Sequence, residues 1–201
     1  KSKFRKINRG LILSLLVVLG IVTYYAVLGI QAAPEKKLMN ETLTGFFEQY
    51  APSHIVPSEY KTLDVTKNDV KKLSDETEAK FKSYFADQKS LDIFMENEVD
   101  TMLEGQTIYP TQDVIKAVCN YKKILAADID RKADKATVTA LVEASSQMDY
   151  YNVEYNEDGS IAKKTPSGGR SGGYSWETQC TFTMEKVEGK WLITGFSGHV
   201  L

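Results

Sequence analysis

The chain has 201 residues, with 25 Lys and Arg against 27 Asp and Glu. Five cations and no acid precede residue 10, so the remaining 20 cations and all 27 acids leave a net −7 on the rest. That excess of acid argues against nucleic acid as a partner, because phosphate binding needs basic patches, and against charge-driven adhesion of the main body to anionic lipid.

Residues 10–30, GLILSLLVVLGIVTYYAVLGI, contain no charged side chain. A bilayer core about 30 Å thick needs roughly 20 apolar helical residues. The Leu, Ile and Val residues together favour insertion by about 5 kcal/mol. Ser14 and Thr23 can bond back to their own helix. A cleaved signal peptide has a shorter apolar region, about 7–15 residues, ending in a small-x-small site; here the run is longer and Ile30 sits in the outer position. The expectation is a transmembrane helix at 10–30 after a basic tail at 1–9. Lys1, Lys3, Arg5, Lys6 and Arg9 lie ahead of the span, and Glu35, Lys36 and Lys37 follow it with mixed sign. The positive-inside rule then puts the N-terminus in the cytoplasm and residues 31–201 outside, in one domain.

Helical spacing begins at once. Met39, Leu43, Phe46, Phe47 and Tyr50 form one apolar stripe, with Pro34 as a break before it and Pro52 as its stop. Residues 52–64 read as loop. Thr66 is an N-cap with Asp69 in the capping-box position, and Val70, Leu73, Thr77, Phe81, Tyr84 and Phe85 make the apolar side of a second helix. Ser90 caps a third, along Leu91, Phe94, Met95, Val99, Met102 and Leu103, with Gly105 as terminator.

Residues 111–118 fit a short helix or a strand. From Tyr121 the period is two. Residues 121–130 and 136–146 flank a polar turn, the second run being β-branched with Val138, Ala140 and Val142 on one side. Residues 150–155 and 160–165 flank Asn156-Glu157-Asp158-Gly159, a hairpin signal. Residues 166–173, PSGGRSGG, read as a flexible loop. Trp176, Cys180, Phe182 and Met184 alternate with Glu177, Gln179, Thr181, Thr183 and Glu185. Glu188-Gly189 turns the chain into a last strand at 190–200. The fold class is therefore α+β: an N-terminal transmembrane helix, then about three helices on an antiparallel sheet of four to six strands. Small inward residues, Ala140 and Ala144, let the sheet curl around a helix.

The stretch 188–196, EGKWLITGF, resembles the closing hairpin of the nuclear transport factor 2-like, or cystatin-like, superfamily, which often ends in a Gly-Lys-Trp-x-Ile-x-x-Phe strand. The resemblance covers 35–201 in element order and only this hairpin in residues. It implies a curved, cone-like sheet whose concave face binds ligands, catalyses isomerisation or packs on partners in different members. The layout is similar to that of membrane-anchored members, including assembly subunits of type IV secretion machines.

The chemical inventory is sparse. Cys119 and Cys180 permit one disulfide in a translocated domain, with two buried free thiols as the other reading. His54 and His199 have no ligand-spaced partners, so no metal is expected. The Gly-rich stretch lacks Gly-Lys-Ser/Thr and a following helix, so it is no phosphate loop. Asp128 and Asp130 offer a general base only if they face the concave side. Tyr150, Tyr151, Tyr155, Tyr174 and Trp176 are the candidate ligand or partner surface. The expectation is a non-enzymatic, single-pass module of the bacterial cell envelope, needing no cofactor, held by the lipid bilayer and working through other membrane or envelope proteins. The alternative is a tethered small-ligand-binding domain using the concave face.

Overall fold

The computed structural model describes residues 9–108, 110–198 and 200–201. The tail cations Lys1, Lys3, Arg5 and Lys6, and His199, lie outside the described residues. The chain divides into two compact units, Lys1–Lys37 and Leu38–Leu201.

The first unit is helical. Helix α1, Arg9–Ser53, begins in it and runs through Pro34, where a break was expected. Its early part is long and apolar enough to cross a membrane. Leu13, Leu15, Tyr25 and Ile30 are 66–74% exposed, so this part has no packed face of its own.

In the second unit the last turns of α1 carry the expected stripe. Met39, Leu43, Phe46, Phe47 and Tyr50 are at most 1% exposed. The helix ends at Ser53, one residue past Pro52. Helix α2, Lys67–Phe81, opens on the capping box: the Asp69 N–H donates to the Thr66 hydroxyl at 3.3 Å, and the Thr66 N–H donates to the Asp69 carboxylate at 2.9 Å. It stops at Phe81, short of Tyr84 and Phe85. Phe85 instead bridges Ile193, and the Ala86 N–H donates to the Ile193 carbonyl.

The third helical run is α3, Gln88–Phe94, a wide π turn, Met95–Asp100, and α4, Thr101–Thr107. Its cap is Asp87, not Ser90; the Ser90 N–H donates to the Asp87 carboxylate at 2.8 Å. Gly105 lies inside α4 and ends nothing. Both residue pairs were plausible caps or stops, and the side chain that reaches the orphan amide decides.

The sheet has five antiparallel strands: β1, Gln112–Asp130; β2, Lys135–Tyr155; β3, Ile161–Gly172; β4, Trp176–Val187; and β5, Lys190–Ser197. The stretch 111–118 is thus strand for all but its first residue. Strand β2 is the spine. It pairs with β1 from Lys135 to Tyr150, with β4 from Lys135 to Ala144 and with β3 from Gln147 to Tyr155. Residues 166–172, expected as loop, belong to β3, where Gln147 and Met148 stand opposite Gly172 and Ser171. Glu188 and Gly189 both have positive φ (51° and 83°), as a type I′ hairpin turn requires.

Ala136, Val138, Ala140, Val142 and Ala144 of β2 face the helices with Cys180, Phe182 and Met184 of β4 and Trp191 and Ile193 of β5. The sheet stays open, with β1 and β5 at its edges. The Thr42 hydroxyl donates to the Trp191 carbonyl on β5, while the Tyr121 hydroxyl on β1 donates to Asn40. Strands far apart in the sheet therefore reach one turn of α1. Phe46 lies at the centre, its ring centroid 5.1–6.2 Å from those of Phe47, Tyr50, Phe81, Phe85, Phe94, Phe182 and Phe196.

Two outcomes follow for stability. Phe46→Ala removes the shared ring and costs about 4 kcal/mol, a large part of a domain's total of about 5–15 kcal/mol; chemical denaturation measures it. His54 is buried, and its Nδ1 lies 2.8 Å from the Tyr50 carbonyl. Burial pushes its pKa below the usual 6.5. As pH falls below that value the unfolded chain takes up a proton that the folded one refuses, so stability drops with acid. The melting temperature therefore falls between about pH 7 and pH 5, and His54→Gln removes that part of the slope.

Candidate functional site

The candidate aromatic residues lie where the helices no longer cover the sheet. On β2 the even-numbered residues are buried from Ala136 to Ser146; beyond that point Tyr150, Asn152 and Glu154 are exposed. Tyr150 stands opposite Gln112 of β1, and Trp176 opposite Ala144. Both therefore point to the helix side of the sheet, past the helices, and are 36% and 37% exposed. Tyr174, in the link between β3 and β4, is 82% exposed. Register thus brings these three to one end of the sheet.

Tyr151 and Tyr155 alternate to the other face. Tyr155 is 46% exposed beside the hairpin tip. Tyr151 is half-buried and forms a floor: the Lys164 ammonium sits 4.1 Å from its ring centre and reaches the Asp113 carboxylate at 3.2 Å. The five aromatics thus form a two-sided arm, and Tyr151 is the member committed to its interior. Alternation along 150–155 carries that division in the sequence. The partners Asp113 and Lys164 had no local signal, because they meet across β2 from two other strands.

The remaining candidates separate. Cys119 is opposite Ala144 on β1 and Cys180 opposite Ala140 on β4, with β2 between them. Two strand spacings are about 10 Å, more than a disulfide spans, and both are free thiols. Burial pushes each thiol up to about 12. Asp128 pairs in register with Thr137, on the face away from the core, and is exposed. Asp130 accepts from the Lys132 and Ala133 amides, as a turn residue. Neither faces the inner side of the sheet, where a general base was to be sought. His54 is held among Tyr50, Ser53 and Gln106. Among the described residues no group of three His, Cys, Asp or Glu is placed to hold a metal.

Sequence reasoning missed one polar centre. Gln106, fully buried, donates to the His54 carbonyl at 3.0 Å and accepts from the Val114 amide at 2.8 Å. It ties the end of α1 to the start of β1. Near it the π turn brings Glu98 to the Tyr50 hydroxyl at 3.1 Å, and burial with that carboxylate raises the Tyr50 pKa.

No family model matches the chain, and no curated protein matches it. Among solved structures it is similar to the intermembrane space region of the chloroplast protein ARC6, at 10% identity and a TM-score of 0.42 over 81% of this chain and 94% of that one. That likeness is too distant to say anything of function. The superfamily resemblance rests on the closing hairpin alone.

The thiols offer a direct check. Unfolded without reductant, the protein titrates two thiols per chain. Folded at pH 8, Cys180 labels about three orders of magnitude more slowly than a free thiol, because so little thiolate is present. Loss of both thiols in the unfolded chain reveals a Cys119–Cys180 bond.

Proposed function

We propose that this chain is a single-pass, membrane-anchored interaction or assembly module of the bacterial cell envelope, with no enzymatic activity. Its N-terminus lies in the cytoplasm and its α+β domain on the outer side of the membrane. The anchor reading is supported by the uncharged stretch 10–30 and the five cations before it. The contact reading is carried by one observation: Tyr150, Tyr174 and Trp176 stand exposed together at the uncovered end of the sheet.

Exposed Tyr and Trp are the residues that most often dominate protein contacts, since a large rigid ring buries much area for few lost rotamers. Residues 150–176 also contain four Tyr, four Ser, five Gly and two Asn. That mixture of aromatic anchors and adaptable polar residues is the one antibody loops use to grip proteins. The small-ligand alternative finds no comparable support. The inner face it needs is occupied by Phe46, Phe47, Tyr50 and Phe182, each at most 1% exposed.

A photocrosslinking residue at position 174, in the full chain in intact membranes, tests the reading. The expected result is a discrete protein adduct, weakened about 30-fold in affinity by Trp176→Ala, as truncating a hot-spot residue does. Labelling of lipid only, or an adduct that Trp176→Ala leaves unchanged, overturns it.

A further inference from the structure

The hairpin that bears Tyr151 and Tyr155 is built unlike the rest of the sheet. Strand β1 begins opposite Tyr150, and the Tyr151 amide donates to the Thr111 carbonyl just before it. Strand β4 begins opposite Ala144. Residues 152–165 therefore pair only with each other, and a two-stranded hairpin is at best marginally stable alone.

The root of the arm is a chain break in register. Strands β3 and β4 run in the same direction along the same edge of β2, separated at residues 173–175. Gly172 and Gly173 there have φ of 93° and 89°. A Cβ on Gly172 would lie 1.9 Å from the Ser146 carbonyl oxygen, so the backbone comes this close only with glycine. At the other end the tip residues Gly159 and Ser160 line a groove of about 250 Å³ together with Leu63 and Val65. What spans the arm is the ion pair. Lys164 of β3 passes over Tyr151 of β2 to Asp113 of β1, and the two side chains are 12% and 11% exposed.

The geometry points to a latched arm. Residues 151–166 open as a unit about the bulge at 167–169, where Gly168 has φ of 75°, and the Lys164–Asp113 pair holds them closed. Closed, the arm holds Tyr151 and Tyr155 in place beyond the start of β1; open, it carries both away, while Tyr150, Tyr174 and Trp176 of the surface assigned above lie outside the moving residues.

Hydrogen exchange on the full chain in lipid nanodiscs, without any partner, tests the latch apart from the contact. In the wild-type protein, amides of residues 152–165 exchange at least about tenfold faster than those of 136–144, as a locally opening unit does. Lys164→Met strands the buried Asp113 carboxylate and speeds arm exchange by about a further 100-fold, with 136–144 unchanged. If that variant does not fold, Asp113→Ala/Lys164→Ala removes the contact without leaving a lone buried charge and speeds arm exchange by at least about tenfold, with 136–144 unchanged; arm rates equal to wild type in that double variant also overturn the latch. Arm and core amides exchanging together in the wild type, or responding equally to Lys164→Met, overturns the latch. A protein adduct at position 174 can survive that failure, and a latch can exist without the adduct.

Discussion

The domain depends on one packing arrangement: the ring of Phe46 held between the helices and the sheet. It touches rings from α1, α2 and α3, from the segment after α2, and from β4 and β5. A ring in that position needs space, and β2 provides it by presenting Ala136, Ala140 and Ala144 to the core. Large residues there would force the sheet away from α1. Small ones leave room for the ring, and Asn40 and Thr42 on one turn of α1 bond to different strands, β1 and β5. Close packing of the helices on the sheet and the choice of alanine on its spine are therefore one fact seen at two scales.

The same arrangement limits how far the core extends. Helices cover β2 only as far as Ser146, and from there the alternation of burial fades. Beyond it the sheet has to be held by something other than apolar packing. The chain uses an ion pair laid over a tyrosine, Lys164 to Asp113, in place of a helix. Such a pair gains little net free energy over an apolar substitute but is costly to break from one side. Burial of apolar area holds one half of the sheet, and the Lys164–Asp113 pair ties β3 to β1 across the other half. An exposed aromatic surface on the weaker half suits a contact region, since binding loops are drawn from the less stable parts of a fold.

Much of this was legible in residue order. The stripe from Met39 to Tyr50, the Thr66–Asp69 capping box, the alternation along 136–144 and the Glu188-Gly189 turn are local signals with local causes. What escaped has causes that a local reading lacks. Inward residues on β1 are Tyr121, Ile124, Ala127 and Ile129, because bulges after Tyr121 and Ile124 add a residue to each step. Strict alternation fails on such a strand. The PSGGRSGG stretch has loop composition, but β2 offers it unpaired backbone, and its own bulge at 167–169 absorbs the misfit. Gly105 stays helical because its cost of about 1 kcal/mol is outweighed by the packing on either side. The aromatic candidates were found as a group; alternation divides Tyr151 and Tyr155 from Tyr150, but only register shows that Trp176 shares the face of Tyr150.

The edges of the sheet bear on how a partner can be met. Strand β5 is covered at Ile193 by Phe85 and Ala86 and at Trp191 by Thr42. Strand β1 carries register shifts at three points and exposed Lys116, Lys122 and Lys123. Strand β3 has Pro166, which lacks a donor, followed at once by a bulge. Each is a recognised way of keeping a strand edge from recruiting another strand. The net −7 carried by residues 31–201 also repels like-charged copies of that part at long range, an effect that weakens with salt. With edges blunted and the inner face filled, side chains on the uncovered end of the sheet are the groups left to make a contact. The exposed large side chains there are Tyr150, Tyr155, Tyr174 and Trp176.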